Sequence, residues 1–260
     1  MRKTGNVLKK IYVGLIFIFL YAPIVTLMVL SFNSSKTRSK WGGFTLKWYA
    51  ELFSNESIIQ AFWNTMIIAF LSALIATILG TAACLGMRTM KRKTKDIIMG
   101  VTNIPMLNAE IVTGISLMLL FLFLGFKMGF TTVLISHITF NIPYVILNVN
   151  PRLRQINAST YEAALDLGAN PFYAFRKVIL PDLMPGILSG FLMAFTMSLD
   201  DFIITHFTKG AGFDTISTKV YTQVKKGVKP EMYALSTLIF VTVLILLLLV
   251  NYLPNEKKKK

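Results

Sequence analysis

Apolar residues in this chain come in long unbroken runs, without the period of a half-buried soluble helix or the alternation of a strand. Six runs reach the length of about 20 residues that a helix needs to cross a hydrocarbon core. They are Ile11 to Ser31, Phe62 to Met87, Ile97 to Phe126, Phe130 to Val149, Leu183 to Phe207 and Tyr233 to Leu253. The pattern predicts an all-α polytopic membrane protein with six transmembrane helices, forming one transmembrane domain over residues 1–260. The first run follows a basic MRKTGNVLKK and so has the outline of a secretory leader. Its apolar part is too long for a leader and no small-residue cleavage site follows, so it reads as a retained span.

One polar stretch interrupts this pattern, from Ser159 to Pro181: STYEAALDLGANPFYAFRKVILP. Its punctuation is that of two short helices. Ser159 stands three residues before Glu162, the spacing of a capping box. Gly168 sits where a helix of about two turns would end in a left-handed residue. Asn170 and Pro171 then supply an N-cap and a first helical residue, and Pro181 marks the far limit of the second helix. Ala163, Ala164, Leu165 and Leu167 give the first helix a small apolar face that another protein can approach closely. The bland alternative is an amphipathic helix pair lying on the membrane surface.

Glu162-Ala163-Ala164, three residues, Gly168, nine residues, Val178, one residue and Leu180-Pro181 together resemble the EAA loop of the membrane subunits of bacterial ABC importers. The one departure is Val178, where the family usually has Ile. The resemblance implies a type I importer permease (MetI-like) fold. In that fold the loop, within about residues 151–182, is a cytoplasmic coupling helix that fits a groove on an ATPase subunit. Glu162, Ala163, Ala164, Gly168, Leu180 and Pro181 are the residues that carry this role over.

Charge fixes the orientation. Seventeen basic residues fall in the N-terminal segment, the Arg88 to Lys95 turn, the Arg152 to Lys177 loop and the Lys257 to Lys260 tail, against ten in the alternate loops. By the positive-inside rule both termini are cytoplasmic, and the EAA-like loop faces the compartment that holds ATP. The net charge of +15 does not indicate nucleic acid, because the basic residues flank apolar spans instead of clustering with exposed aromatics. The chain is 54% hydrophobic with a mean hydropathy of +0.61, too apolar for a soluble domain. No Gly-x-x-x-x-Gly-Lys-Ser/Thr loop occurs, so energy must come from a partner. The single Cys84 excludes an internal disulfide, and His137 and His206, far apart in sequence, read as buried or interfacial polar groups.

Three carboxylates fall inside apolar runs: Glu110 in the third, Asp200 and Asp201 in the fifth. At roughly 2.5 to 3.5 kcal/mol each at a span's centre, they should face a polar interior instead of lipid. Glu110 is placed near mid-membrane and the Asp pair toward the outer side, an order suited to a path for something positive. Adjacent helical residues point about 100 degrees apart, so one Asp can bind while its neighbour caps or braces. Pro105, flanked by Asn103 and Asn108, predicts an interruption beside Glu110, which at that depth needs a cavity or protein neighbours. The bland reading pairs Glu110 with a base of a neighbouring helix and leaves the Asp pair at the interface. Tyr144, after Pro143, can line the path or simply pack. Trp41, Trp48 and Tyr49 fit either an interfacial belt or an ammonium cage.

Ser31 to Ser35, Trp41 to Thr45 with Trp48-Tyr49, Ser136 to Phe140 and Ser198 to Asp201 extend the resemblance to the C-type permease subunits of spermidine/putrescine importers. That likeness implies a heterodimer with a second permease, two ATPase subunits that bind ATP and Mg, and an extracytoplasmic binding protein in a bacterial inner membrane. It implies no cofactor in this chain. Ferric iron or a cationic amino acid is the alternative cargo, with the same coupling loop and a different meaning for Glu110. An intramembrane aspartyl enzyme is disfavoured, because adjacent aspartates on one helix cannot share a proton across a substrate.

Overall fold

The computed structural model describes residues 2–37 and 39–252. Arg38 and the Lys257 to Lys260 tail, both counted for orientation, lie outside the described residues, as does Leu253 at the expected end of the sixth run. The elements in chain order are α1 (Arg2–Ser31), α2 (Lys47–Ser54), α3 (Glu56–Arg88), α4 (Arg92–Leu107), α5 (Glu110–Phe123) and α6 (Phe130–Gln155). There follow α7 (Ala158–Asp166), α8 (Pro171–Ala174), α9 (Leu180–Asp200), α10 (Ile203–Thr208), α11 (Ile216–Lys226) and α12 (Pro230–Tyr252). Among the described residues, extended pairing is confined to one isolated bridge, Asn33 with Phe44.

Four stretches are long and apolar enough to cross a membrane: Lys9–Ser31, Glu56–Arg88, Phe130–Gln155 and Pro171–Asp200. The pair α4 and α5 makes a fifth only as a broken span, bent by 105°. The third apolar run is therefore not one helix. Pro105 lies inside α4, which continues to Leu107, and the break follows at Asn108 and Ala109, both extended. The fifth run is corrected too. It is helical from Pro171, stops at Asp200, and resumes as the separate α10 after an extended Asp201 (ψ 124°).

The chain divides into two compact units, Met1–Ile59 with Val220–Lys260, and Gln60–Lys219. In the first, α12 packs on α1 and α2. Asn33 organises the loop after α1: its side-chain amide donates to Lys40 O (2.9 Å) and its Oδ1 accepts from Ser35 N (3.1 Å) and Gly42 N (2.8 Å). Trp48 is buried and donates its indole N–H to Asn33 O at 2.7 Å, so it is a core residue of this loop, in neither a belt nor a cage. Tyr49 is tied to Ser31 by a 2.8 Å hydroxyl pair, while Trp41 stays exposed.

In the second unit α3, α6 and α9 share a core of Ala73, Ala76, Cys84, Val145, Val149, Leu183 and Ala194 among others. Small residues let these backbones approach, as packing inside a bilayer favours where neither neighbour offers a hydrophobic gain over lipid. Val145 of α6 sits between two glycines. A Cβ on Gly80 of α3 would meet its Cγ1 at 2.8 Å, and one on Gly190 of α9 would meet its Cα at 3.3 Å. The opposite face of α3 carries exposed Ile67, Phe70, Leu74 and Ile78, the apolar surface expected of a helix that meets lipid or another subunit.

Candidate functional site

Glu110, Asp200 and Asp201 sit at two helix breaks, one between α4 and α5 and one between α9 and α10. Glu110 is the first residue of α5, where free N–H groups and the helix dipole favour a carboxylate. Its side chain is exposed and forms no ion pair among the described residues. Half-buried Tyr144 of α6 lies within electrostatic reach of it, so the structure brings these two together. Asn103, on the other side of the break, keeps its Oδ1 buried without a hydrogen bond. The break thus leaves an exposed carboxylate within electrostatic reach of a phenol.

The adjacent aspartates diverge. Asp200 ends α9 with an exposed side chain and no hydrogen bond or ion pair among the described residues. The side chain of Asp201 is 5% exposed and turned inward, which removes it from any open path. Its oxygens accept from Ile204 N (3.2 Å), Thr205 N (2.8 Å) and the Thr205 hydroxyl (2.7 Å), so it caps the first turn of α10. The physical reason is the extended backbone at Asp201, which folds its side chain back over the orphan N–H groups that follow.

Asp201 is also the end of a buried polar chain. His137 of α6, fully buried, places Nε2 at 2.8 Å from the Thr205 hydroxyl and 3.4 Å from Asp201 Oδ2. Its Nδ1 lies 2.5 Å from Ser198 Oγ of α9. Ser198 continues to Ser72 Oγ of α3 at 3.0 Å, and Asn141 Nδ2 donates to Ser72 at 3.2 Å. Four helices and the α9–α10 break are therefore pinned at one level by hydrogen bonds. The sequence carries a further signal for this chain of groups: His137 and Asn141 are one helical turn apart, on one face of an apolar run. His206, by contrast, is exposed.

The polar loop between α6 and α9 forms the expected helical pair, with two corrections. The cap of α7 is Asn157, whose side chain accepts from Ser159 N at 3.1 Å, in place of Ser159 paired with Glu162. Asn is at least as good an N-cap as Ser, and starting two residues earlier lengthens the helix. Gly168 does take a left-handed φ of +87°. Around it Gly168 N donates to Leu165 O (2.9 Å) and Ala169 N to Ala164 O (3.1 Å), the paired bonds of a Schellman ending. Asn170 accepts from Tyr173 N at 2.7 Å with Pro171 at the first helical position. Pro181, however, does not end the second helix. A π-turn, Phe175–Ile179, widens the helix just before it. That turn accommodates the missing N–H and bulky ring of Pro181, and the helix runs on into α9. Glu162, Ala163 and Pro181 are exposed, Ala164 and Leu180 half-buried. Leu167 is 89% and Phe172 72% exposed, an apolar knob that is unpartnered among the described residues.

Comparison with known proteins gives the context. Residues 78–255 match the family described as binding-protein-dependent transport system inner membrane component. The chain is 37% identical over 255 residues to the spermidine/putrescine transport system permease protein PotC of Escherichia coli (strain K12), covering 98% of this chain and 97% of that one. It is 38% identical over 251 residues to the putrescine transport system permease protein PotI of the same strain, covering 94% of this chain and 89% of that one. In fold it is similar to a chain of a crystallised bacterial ABC transporter involved in the import of the acidic polysaccharide alginate. That likeness has a TM-score of 0.77 at 15% identity, covering 97% of each chain. A chain helical throughout its described apolar spans, one of them a bent pair, with a sequence match over most of its length, belongs to the family of binding-protein-dependent transport system inner membrane components.

Proposed function

We propose that this chain is one permease of an ATP-driven importer for polyamines such as spermidine or putrescine. The near end-to-end likeness to permeases named for those two solutes carries the reading. Polyamines are multiply charged at neutral pH, and an exposed Glu110 at a broken span, with Tyr144 in its field and Asp200 free, supplies spaced anionic and aromatic surface suited to them. Six spans result when α12 and the bent α4–α5 pair are counted with the four long helices, with both termini cytoplasmic. A second permease completes the path, two ATPase subunits bind ATP and Mg, and an extracytoplasmic binding protein delivers cargo at the inner membrane. The α7–α8 knob, with Glu162, Ala163, Ala164 and Gly168, docks on the ATPase, and Leu180 and Pro181 join it to α9. Transport proceeds by alternating access: closure of the ATPases moves the knob, and the spans reopen to receive cargo. Glu110 and Asp200 bind weakly and in turn, because a path that held cargo tightly would not release it. Asp201 positions Asp200 and does not itself touch cargo.

The test is uptake of radiolabelled spermidine in cells that lack other polyamine importers and express this chain with its partners. Glu110→Gln should lower uptake while the complex still assembles. Unchanged uptake would remove Glu110 from the path, and uptake of a cationic amino acid in place of spermidine would move the cargo to another class.

A further inference from the structure

A second site lies away from the acidic residues, where α3 ends, α4 begins and α6 ends. A cavity of about 220 Å³ is lined there by Arg88, Lys95, Asn150, Leu153, Arg154 and Ile156. Three of the six are cations, none is acidic, and none of the three makes an ion pair among the described residues. Nearby Arg92 and Asp96 hold each other at 4.0 Å outside it. Like charges converging on one concavity repel unless an anion joins them. Asn150 independently points to a ligand: it is only 7% exposed, its side chain lines the cavity, and it has no side-chain hydrogen bond among the described residues. With no partner of its own, that amide has its donors free for an acceptor held in the cavity. Leu153 and Ile156 add an apolar wall, as an acyl chain next to a headgroup would need.

We infer that this cavity binds a phosphate-bearing anion, with Arg88, Lys95 and Arg154 neutralising it and Asn150 Nδ2 donating to it. The headgroup of an anionic phospholipid fits best, since basic pockets between spans on the cytoplasmic side are suited to such headgroups. Only the choice of leaflet rests on the orientation proposed above; the anion site itself does not depend on transport. Ile156 immediately precedes the Asn157 cap of α7, so an occupant would brace the root of the knob.

The test uses the purified full chain in detergent, with dioleoylphosphatidylglycerol and dioleoylphosphatidylcholine as probes and native mass spectrometry counting retained lipid. Each cation near an anionic surface is worth about fivefold in binding. The paired variant Lys95→Gln/Arg154→Gln should therefore hold phosphatidylglycerol about twenty-five-fold more weakly, and Arg92→Gln/Lys93→Gln should hold it as the parent does. Asn150→Asp, which places a carboxylate among the cations, should keep the fold and lose the lipid. Competition by inorganic phosphate, with a higher melting temperature in phosphatidylcholine alone, would uphold the anion site and make its source aqueous. Equal retention by the pocket variant, or equal loss in the Arg92/Lys93 control, overturns the proposal. So does a pocket variant that sheds ATPase subunits from the assembled complex while retaining its lipid, because the occupant is then an acidic protein surface.

Discussion

Asp200 and Asp201 are neighbours in sequence and opposites in surroundings, which makes their substitution a sharp test of the structure. Asp201→Ala removes the acceptor of two backbone N–H groups and of the Thr205 hydroxyl, at 3.2, 2.8 and 2.7 Å, and strips His137 of its nearest carboxylate. Losing a helix cap costs about 1 kcal/mol, and each buried donor left orphaned costs about 1–3 kcal/mol. With the two backbone donors counted in the cap and the Thr205 hydroxyl as the orphan, the sum is on the order of 2–4 kcal/mol, which for a chain of this size lowers the melting temperature by about 4–16 °C. Asp200→Ala removes a side chain with no hydrogen bond among the described residues, so its melting temperature should stay within about a degree or two of the parent. Thermal unfolding of the purified chain in detergent, with spermidine uptake measured alongside, separates the two. Asp200→Ala should lose uptake at full stability, and Asp201→Ala should lose both. Equal melting temperatures for the two variants would refute the inward capping role of Asp201, and full uptake with Asp200→Ala would refute its place on the path.

Gly168→Asp should uncouple ATP hydrolysis from uptake. The glycine's φ of +87° costs a side-chain-bearing residue about 1–2 kcal/mol, with open space around its Cβ position, so assembly and ATPase rates, read together, report a tilted knob and not a collapsed one. Leu167→Lys, at an 89% exposed position, should leave the chain's own stability unchanged and weaken co-purification of the ATPase. Gly80→Ala should destabilise by about 1–3 kcal/mol through its 2.8 Å clash with Val145, and Val145→Ala should recover part of that in the double variant. Asp214 answers to pH. Burial raises its pKa, but the Lys209 and Lys219 ammonium groups and the Thr218 hydroxyl outweigh burial and hold the carboxyl below the usual carboxylate range. A depressed carboxylate contributes stability in full above the ordinary Asp value of about 3.9. That contribution is lost as pH falls through the folded value. Melting curves from neutral to acid pH should therefore flatten on the acid side in Asp214→Asn.

The apolar runs were legible because length and hydropathy decide a span almost by themselves, and α1, α3, α6 and α9 begin or end close to the expected residues. Gly168 and the Asn170–Pro171 start were legible for the opposite reason: their backbone demands are local and chemically specific. The breaks were harder to place. Pro105 announced an interruption, but a proline disturbs the turn before it and lets the helix continue, so α4 ends two residues later. Nothing local marks Asp201 as the point where the fifth run stops. That break depends on Thr205 following it and on His137, which reaches it from a helix far back in the chain. Pro181 misled because a widened turn upstream had already accommodated it.

That widened turn fixes a phase. A π-turn holds one residue more than the α-helical path it replaces, and each helical residue advances the rotation by about 100 degrees. Removing a single residue between Phe175 and Ile179 would therefore let the turn tighten to an ordinary α-helical one, with the two ends of the helix kept in phase. Leu167 and Phe172 would keep their bearing around the axis on which Ser198, Gly190 and Gly186 are seated, whereas one further residue would swing them by about 100 degrees. The inserted residue is slack between the exposed handle and the apolar shaft, and its loss would be taken up before either was misaligned.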